Sequence, residues 1–118
     1  MNWPDNIEGN LLRAAEVGNY ETTLECINKG ANPNYKDYLG STALHYAAKK
    51  GHIDVVKLLL DRGANIHDSN NFGWTASHFA AWNGYQNIVT LLLDKGANIH
   101  DKNKDGSTIL LLVVWNGY

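Results

Sequence analysis

Cysteine is scarce in this sequence, since Cys26 is the only one among its 118 residues. A single thiol excludes an intramolecular disulfide, and in an apolar helical stretch such a residue usually belongs to the core and is not a nucleophile. A reducing compartment fits this composition. The amino terminus also lacks the basic start and the apolar run of a signal peptide. The sequence therefore predicts a cytoplasmic location.

An excess of one charge and a long hydrophobic run are absent as well. The 10 basic and 12 acidic side chains give a formal net charge of -2 at pH 7, whereas binding to phosphate groups of nucleic acids or anionic membranes needs a basic surface. No segment approaches the roughly 18 apolar residues of a membrane span. We therefore expect neither a nucleic-acid partner nor a membrane partner.

Groups that could perform catalysis are also missing. Ser41 and Ser107 occupy turn positions in which nothing assembles a triad, and the glycines do not form a phosphate-binding loop. The stretch from Asp101 to Gly106 is similar to the start of a calcium-binding EF-hand loop. Its twelfth position should be a bidentate glutamate, but it is Leu112. The sequence predicts no enzyme, no cofactor and no metal site.

The sequence does contain an internal repeat. A period of 33 residues brings three sets of identical residues into register: Gly40, Gly73 and Gly106; Thr42, Thr75 and Thr108; and Gly30, Gly63 and Gly96. A fixed period of this length indicates structural units that stack on one another in an array.

Each unit is expected to contain two helices. In the second unit, Thr42 can cap a first helix that runs through Lys50, and Gly51 supplies a left-handed stop. A second helix should follow from Ile53 to Arg62. Neither helix can bury its apolar face alone, so the pattern favours stacking of each unit on its neighbours.

These residues carry a resemblance to a known family. The segment from Gly40 to Ala48 reads Gly-Ser-Thr-Ala-Leu-His-Tyr-Ala-Ala, followed by a central Gly-His and a Leu-Leu-x-x-Gly-Ala ending. This pattern resembles the ankyrin repeat family and departs from it only at Ala43, where the family prefers proline. The next unit has Ser77 for a core leucine and Tyr85 for the central histidine, which predicts a less tightly packed first helix.

The resemblance covers nearly the whole chain and implies an all-α fold. The expected architecture is an ankyrin-repeat solenoid of stacked helix-turn-helix units joined by β-hairpin-like loops. We expect one domain over residues 1–118. Its parts would be an N-terminal capping repeat at 1–36, two repeats at 37–69 and 70–102, and a truncated final repeat at 103–118.

Five histidines could suggest a zinc site. His45 and His78 lie one period apart, as do His67 and His100. The members of each pair would then be separated by about one helix spacing, roughly 8–10 Å, whereas zinc binds nitrogen at about 2.0–2.1 Å. In the family, the histidine that matches His45 and His78 joins a helix start to neighbouring loops by hydrogen bonds. We therefore expect a structural role for both.

The final unit has an unusual first helix. Two valines stand where other units have a pair of alanines, and no second helix follows them in the sequence. An apolar, β-branched stretch of this kind is either buried against something else or prone to aggregation. One interpretation is a homo-oligomer, and the other is a structural fragment of a longer ankyrin array. The stretch consists of Leu110, Leu111, Leu112, Val113 and Val114.

The resemblance also implies a function, the binding of another protein. Ankyrin proteins use their hairpin tips and the exposed side of the first helices as a concave surface, and solvent-facing aromatic residues there are typical of binding hot spots. The expected partner-binding residues are Tyr38, Leu39, Tyr46, Lys49, Lys50, Phe72, Trp74, Phe79, Trp82, Asn83, Lys104 and Trp115. The alternative is that Trp74 and Trp82 pack on one another or on adjacent hairpins as a satellite cluster.

The loops of the chain are rich in asparagine. In this respect the sequence is similar to ankyrin proteins of intracellular bacteria and large viruses, which direct such proteins at host targets. The similarity implies a second possible location, a host cytosol reached without a signal peptide. The partner protein itself is not identified by any motif.

Overall fold

The computed structural model describes residues 6–117. This part of the chain forms seven α-helices and no strand: α1 (Ile7–Val17), α2 (Tyr20–Asn28), α3 (Ala43–Lys50), α4 (Ile53–Asp61), α5 (Ala76–Trp82), α6 (Gln86–Asp94) and α7 (Ile109–Trp115). We call α1, α3, α5 and α7 the first helices and α2, α4 and α6 the second helices. The predicted all-α fold is confirmed. Among these helices, none has the length and apolar character needed to cross a membrane.

Threonine caps begin three of the four first helices, α3, α5 and α7. The backbone N–H of His45 donates to the hydroxyl of Thr42, and the N–H of Thr42 donates to Nδ1 of His45 at 2.8 Å. The same capping box joins Thr75 and His78, so two donors at each helix start are satisfied together. Helix α3 ends at Gly51, whose φ of 84° lies in the left-handed region. Both helices predicted for this unit are confirmed to within one residue.

The helices form two layers. The first helices lie side by side in the order α1, α3, α5 and α7, and the second helices form a row behind them, each packed on its own first helix. Alanine pairs let the first helices approach closely, because Ala47, Ala48, Ala80 and Ala81 are completely buried between them. One continuous core therefore runs the length of the stack, which measures 39 × 25 × 22 Å.

Helix α5 contains a packing defect. Ser77 stands where α3 has the buried Leu44, and it is itself completely buried. Its hydroxyl has no hydrogen-bond partner among the described residues. A buried hydroxyl that loses water without gaining a partner lowers stability. The looser packing predicted for this helix stays a prediction, because its inward residues are as completely buried as those of α3.

A hairpin turn precedes each of the last three first helices. In the first of these turns, Oδ1 of Asp37 accepts hydrogen bonds from the backbone N–H groups of Leu39 and Ser41, both at 2.9 Å. The N–H of Asp37 in turn donates to the carbonyl of Ser41 at 3.0 Å. These bonds close the turn from both sides. Asn70 and Asn103 hold the equivalent turns in the same way.

Neighbouring hairpins are joined by their backbones. The N–H of Asn71 donates to the carbonyl of Leu39 at 2.9 Å, and the N–H of Lys104 donates to the carbonyl of Phe72 at 3.0 Å. The contact is close at Gly73, where a Cβ atom would lie 2.9 Å from the backbone nitrogen of Lys104. The three turns therefore form one continuous row alongside the first helices.

Two histidines fasten this row to the helices. Nδ1 of His45 accepts a backbone N–H, so the proton lies on Nε2, which donates to the carbonyl of Asp68 at 2.9 Å. His78 makes the equivalent bond to the carbonyl of Asp101 at 3.0 Å. Burial lowers the pKa of His45 to about 4 and also lowers that of His78. The structural role expected for both histidines is confirmed.

Candidate protein-binding surface

The hairpin turns and the exposed side of the first helices form one surface, which we call the groove. At its centre lies a cavity of about 170 Å³. Its walls are mostly apolar and come from the two hairpins that flank α3 and from α3 and α5 themselves. The lining residues are Leu39, Ser41, His45, Tyr46, Lys49, Asn70, Phe72 and Phe79. Five of the residues predicted from the sequence are therefore brought together here.

The prediction that Tyr46 faces solvent is wrong. Only 7% of its surface is exposed, because its ring packs into the core. Its hydroxyl donates a hydrogen bond to the carboxylate of Asp37, so the side chain ties α3 to the first hairpin. Burial, followed by the contact with Asp37, raises the pKa of Tyr46. Tyr46 thus forms a fixed wall of the cavity.

An aromatic cluster extends the groove from α5. The ring centroid of Trp74 lies 5.0 Å from that of Phe79 and 6.1 Å from that of Trp82, with the two indoles nearly perpendicular at 81°. Such edge-to-face contacts are favourable. The expected alternative, that the two tryptophans pack on one another, is therefore correct. Trp82 nevertheless remains 50% exposed and Phe72 is exposed at the neighbouring hairpin.

Basic side chains border the apolar centre. Lys49 Nζ lies 5.8 Å from the ring centroid of Phe79, within the range of a cation–π contact. Lys50 and Lys104 are both exposed. Asn83 is exposed too, but its amide already donates to the carbonyl of Phe79 at 2.9 Å. The groove therefore combines an apolar cavity with the positive charge of Lys49 in its wall.

The remaining predicted residues lie at the ends of the surface. Tyr38 is 71% exposed at the tip of the first hairpin, away from the cavity. Trp115 is exposed at the end of α7, beside a separate groove, and does not line the cavity. The structure thus divides the predicted set into a central group and two peripheral positions.

Sequence reasoning missed the residues that shape the turns. Asp37, Asn70 and Asn103 each accept two backbone N–H groups and hold the tips in place. The signal was present, because the three residues lie one period apart and Asp and Asn commonly bond to backbone groups two residues further on. Their role is to position the side chains that line the groove.

The described part of the chain shows neither a metal-binding cluster nor an activated thiol. Within residues 6–117 there is no cluster of His, Cys, Asp and Glu that could hold a metal ion. Cys26 is buried, as expected for a core residue, and desolvation raises the pKa of its thiol. Such a thiol is a poor nucleophile.

The helix pairs stack on one another, and His45 and His78 join the row of hairpin turns to them. This arrangement is that of a helical-repeat solenoid. The family model described as ankyrin repeats (3 copies) matches residues 11–103. The chain therefore belongs to the ankyrin repeat family, whose repeats are generally non-catalytic modules for protein–protein interaction. No curated protein matches the chain.

Proposed function

We propose that this chain binds a partner protein through the groove and performs no catalysis of its own. The cavity between Leu39, Phe72 and Phe79 carries the proposal, because it is an apolar opening on a surface that the turns hold rigidly. Binding hot spots are typically aromatic side chains that become fully desolvated in the complex. Phe72 and Trp82 meet this description, since both are exposed. Phe72 lines the cavity, and Trp82 is connected to its wall at Phe79 through the ring of Trp74.

The charge around the cavity indicates which partners fit. Lys49 lines the cavity, and Lys50 and Lys104 are exposed elsewhere on the first helices and hairpin tips; together they favour a partner surface with acidic residues around an apolar contact. Binding would take place in a reducing compartment, the cytoplasm or a host cytosol. The single buried thiol of Cys26 supports that location.

The test compares three forms of the protein as affinity baits. Wild type, a Phe72→Ala/Trp82→Ala double variant and a Tyr20→Ala control are incubated with lysate of the cells in which the protein occurs, and retained proteins are quantified by mass spectrometry. Tyr20 is an exposed aromatic residue on α2, outside the groove. A partner retained by wild type and Tyr20→Ala but lost by the double variant supports the proposal.

The expected loss is large enough to distinguish binding from stability. Removing Trp82 should weaken partner binding by about 2 kcal/mol or more, roughly 30-fold. Its effect on the free energy of unfolding should be smaller, about 1 kcal/mol, because mainly the edge contact with Trp74 is lost. Equal retention of every protein by all three baits would contradict the proposal that the groove binds the partner.

A further inference from the structure

The cavity at the centre of the groove owes its space to a small side chain. Ser41 stands in the first hairpin at the position that Trp74 holds in the second, 33 residues later. The indole of Trp74 lies against three side chains of its own repeat, with ring centroids 6.0, 5.0 and 6.1 Å away: His78, Phe79 and Trp82. A serine at this position leaves the equivalent space beside the first hairpin open.

The walls of the cavity correspond to the surroundings of that indole. His45, Tyr46 and Lys49 all line the cavity, and they are the residues one period before the three that surround Trp74. The chain therefore contains, one repeat away, an example of the group that fills such a space. That group is an aromatic ring.

The last repeat has Leu112 at the position of Tyr46. Leu112 is buried against the stack, and the neighbouring Val113 is only partly exposed. The prediction of self-association through Leu112 is therefore wrong, because its side chain already packs in the core of the stack. The position that forms a wall of the cavity thus packs inward in the last repeat as well.

The size and composition of the cavity fit an aromatic occupant. Its volume is about 170 Å³, and a protein cavity of roughly 150 Å³ is large enough to hold one benzene ring. Its wall contains the rings of Tyr46, Phe72 and Phe79, and contacts between aromatic rings are favourable beyond the area that they bury. The hydroxyl of Tyr46 is bonded to Asp37, which holds this wall in place.

The charge in the wall is positive. Lys49 stands where the next repeat has Trp82, and its ammonium lies 5.8 Å from the ring centroid of Phe79. The carboxylate of Asp37 does not line the cavity and already accepts hydrogen bonds from Leu39, Ser41 and Tyr46. An occupant with a carboxylate beside its ring would therefore pair with the lysine, whereas a cationic occupant would be repelled.

We propose that the cavity receives one aromatic side chain of the partner protein, a phenylalanine or a residue of similar size, with an aspartate or glutamate beside it in the partner's sequence. The ring takes the place that Trp74 has in the next repeat, and the carboxylate pairs with Lys49. This inference rests on the proposed function, because it names the anchor that the partner places in the groove. An aromatic side chain desolvated in a pocket is the usual form of a binding hot spot.

The first measurement is an NMR titration of the full chain with the short peptide acetyl-Asp-Phe-Asp-amide. Binding in the millimolar range should shift the backbone amide signals of Leu39 and Phe72, which line the cavity. Acetyl-Asp-Ala-Asp-amide should not shift them, because it lacks the ring. Acetyl-Asn-Phe-Asn-amide should bind about threefold to fivefold more weakly, since an ion pair at an exposed site adds only a modest amount.

Two substitutions test the volume and the charge separately. Ser41→Trp supplies the indole that the next repeat already has and should abolish peptide binding. Ser107→Trp makes the same change at the same position of the last hairpin, outside the cavity, and should leave peptide binding intact. Lys49→Met should reduce binding of the aspartate peptide to that of the asparagine peptide. Lys57→Met, at an exposed lysine of α4, should not.

Folding of each variant is checked by far-UV circular dichroism. Lys49 is exposed, so Lys49→Met keeps the inference testable if Ser41→Trp does not fold. A partner that is retained by wild type in the affinity experiment should also be lost from a Ser41→Trp bait, because the indole occupies the place of the partner's ring.

Two results would each overturn the aromatic anchor: equal shifts with the phenylalanine and alanine peptides, or peptide binding that survives in folded Ser41→Trp. Equal binding of the aspartate and asparagine peptides to wild type would overturn the pairing with Lys49. These failures are distinct from a failure of the proposed function. The baits carrying Phe72 and Trp82 substitutions report whether the groove retains a partner at all, whatever side chain enters the cavity.

Discussion

The histidine links make the stability of the stack dependent on pH. His45 is neutral in the folded protein, because Nδ1 must accept a backbone N–H while Nε2 donates to the carbonyl of Asp68. Burial lowers its pKa to about 4, against 6.5 for the free side chain. A second proton would have to be placed on Nδ1, against the N–H of Thr42. Protonation of His45 therefore destabilises the folded protein.

The direction and size of the effect follow from this difference. Above pH 6.5 both states are neutral at His45, and its contribution to stability is complete. Between pH 6.5 and pH 4 the unfolded chain binds a proton that the folded chain does not, so the free energy of unfolding falls as the pH falls. The loss from His45 alone amounts to about 3 kcal/mol. His78, whose pKa is also lowered, acts in the same direction.

Urea denaturation at several pH values between 4 and 7 measures this loss. The free energy of unfolding should change less steeply with pH in His45→Gln, because this variant lacks the titrating group. The variant is expected to be less stable than wild type at pH 7. NMR provides the direct check, since the imidazole signals of His45 should not titrate in the native protein near pH 6.5. A native midpoint near 6.5, or an unchanged slope in the variant, would refute the reasoning.

Two further predictions concern packing. Ser77→Ala should raise the free energy of unfolding by about 1–3 kcal/mol, because it removes a buried hydroxyl without a described partner; a loss of stability in urea denaturation would contradict this. Gly73→Ala should cost at least about 1 kcal/mol more than Gly63→Ala. Both glycines have positive φ, but only at Gly73 would the new Cβ meet the backbone of Lys104, so equal losses would contradict the close contact.

The helices were predictable because their signals are local. Thr42 and Gly51 mark the ends of α3 through bonds to residues within one turn, and such caps can be recognised from the sequence alone. The period adds information over longer distances, since identical residues 33 positions apart must occupy equivalent places in a stack. The repeat and the helix order therefore followed from the chain, and the role of the two histidines followed from the family resemblance.

The surface was predicted less well because exposure depends on neighbours. Tyr46 and Phe79 occupy the same place in their repeats, but Tyr46 is buried and bonded to Asp37. Position 70 has an asparagine instead of an aspartate, so the second hairpin offers no carboxylate at the place of Asp37. Helix periodicity cannot predict this difference, since it arises from a contact between a helix and a loop.

The sequence by itself determined that this chain is a stack of ankyrin repeats, because caps, glycine stops and a fixed period act through local bonds. Tertiary structure alone decided which side chains line the groove and which of the apolar residues of α7 remain exposed. Leu112 and Val114 illustrate the difference, since both are apolar and only two residues apart, yet one is buried and the other is not. Burial depends on which elements pack against each side of a helix, and that arrangement exists only after the repeats have stacked.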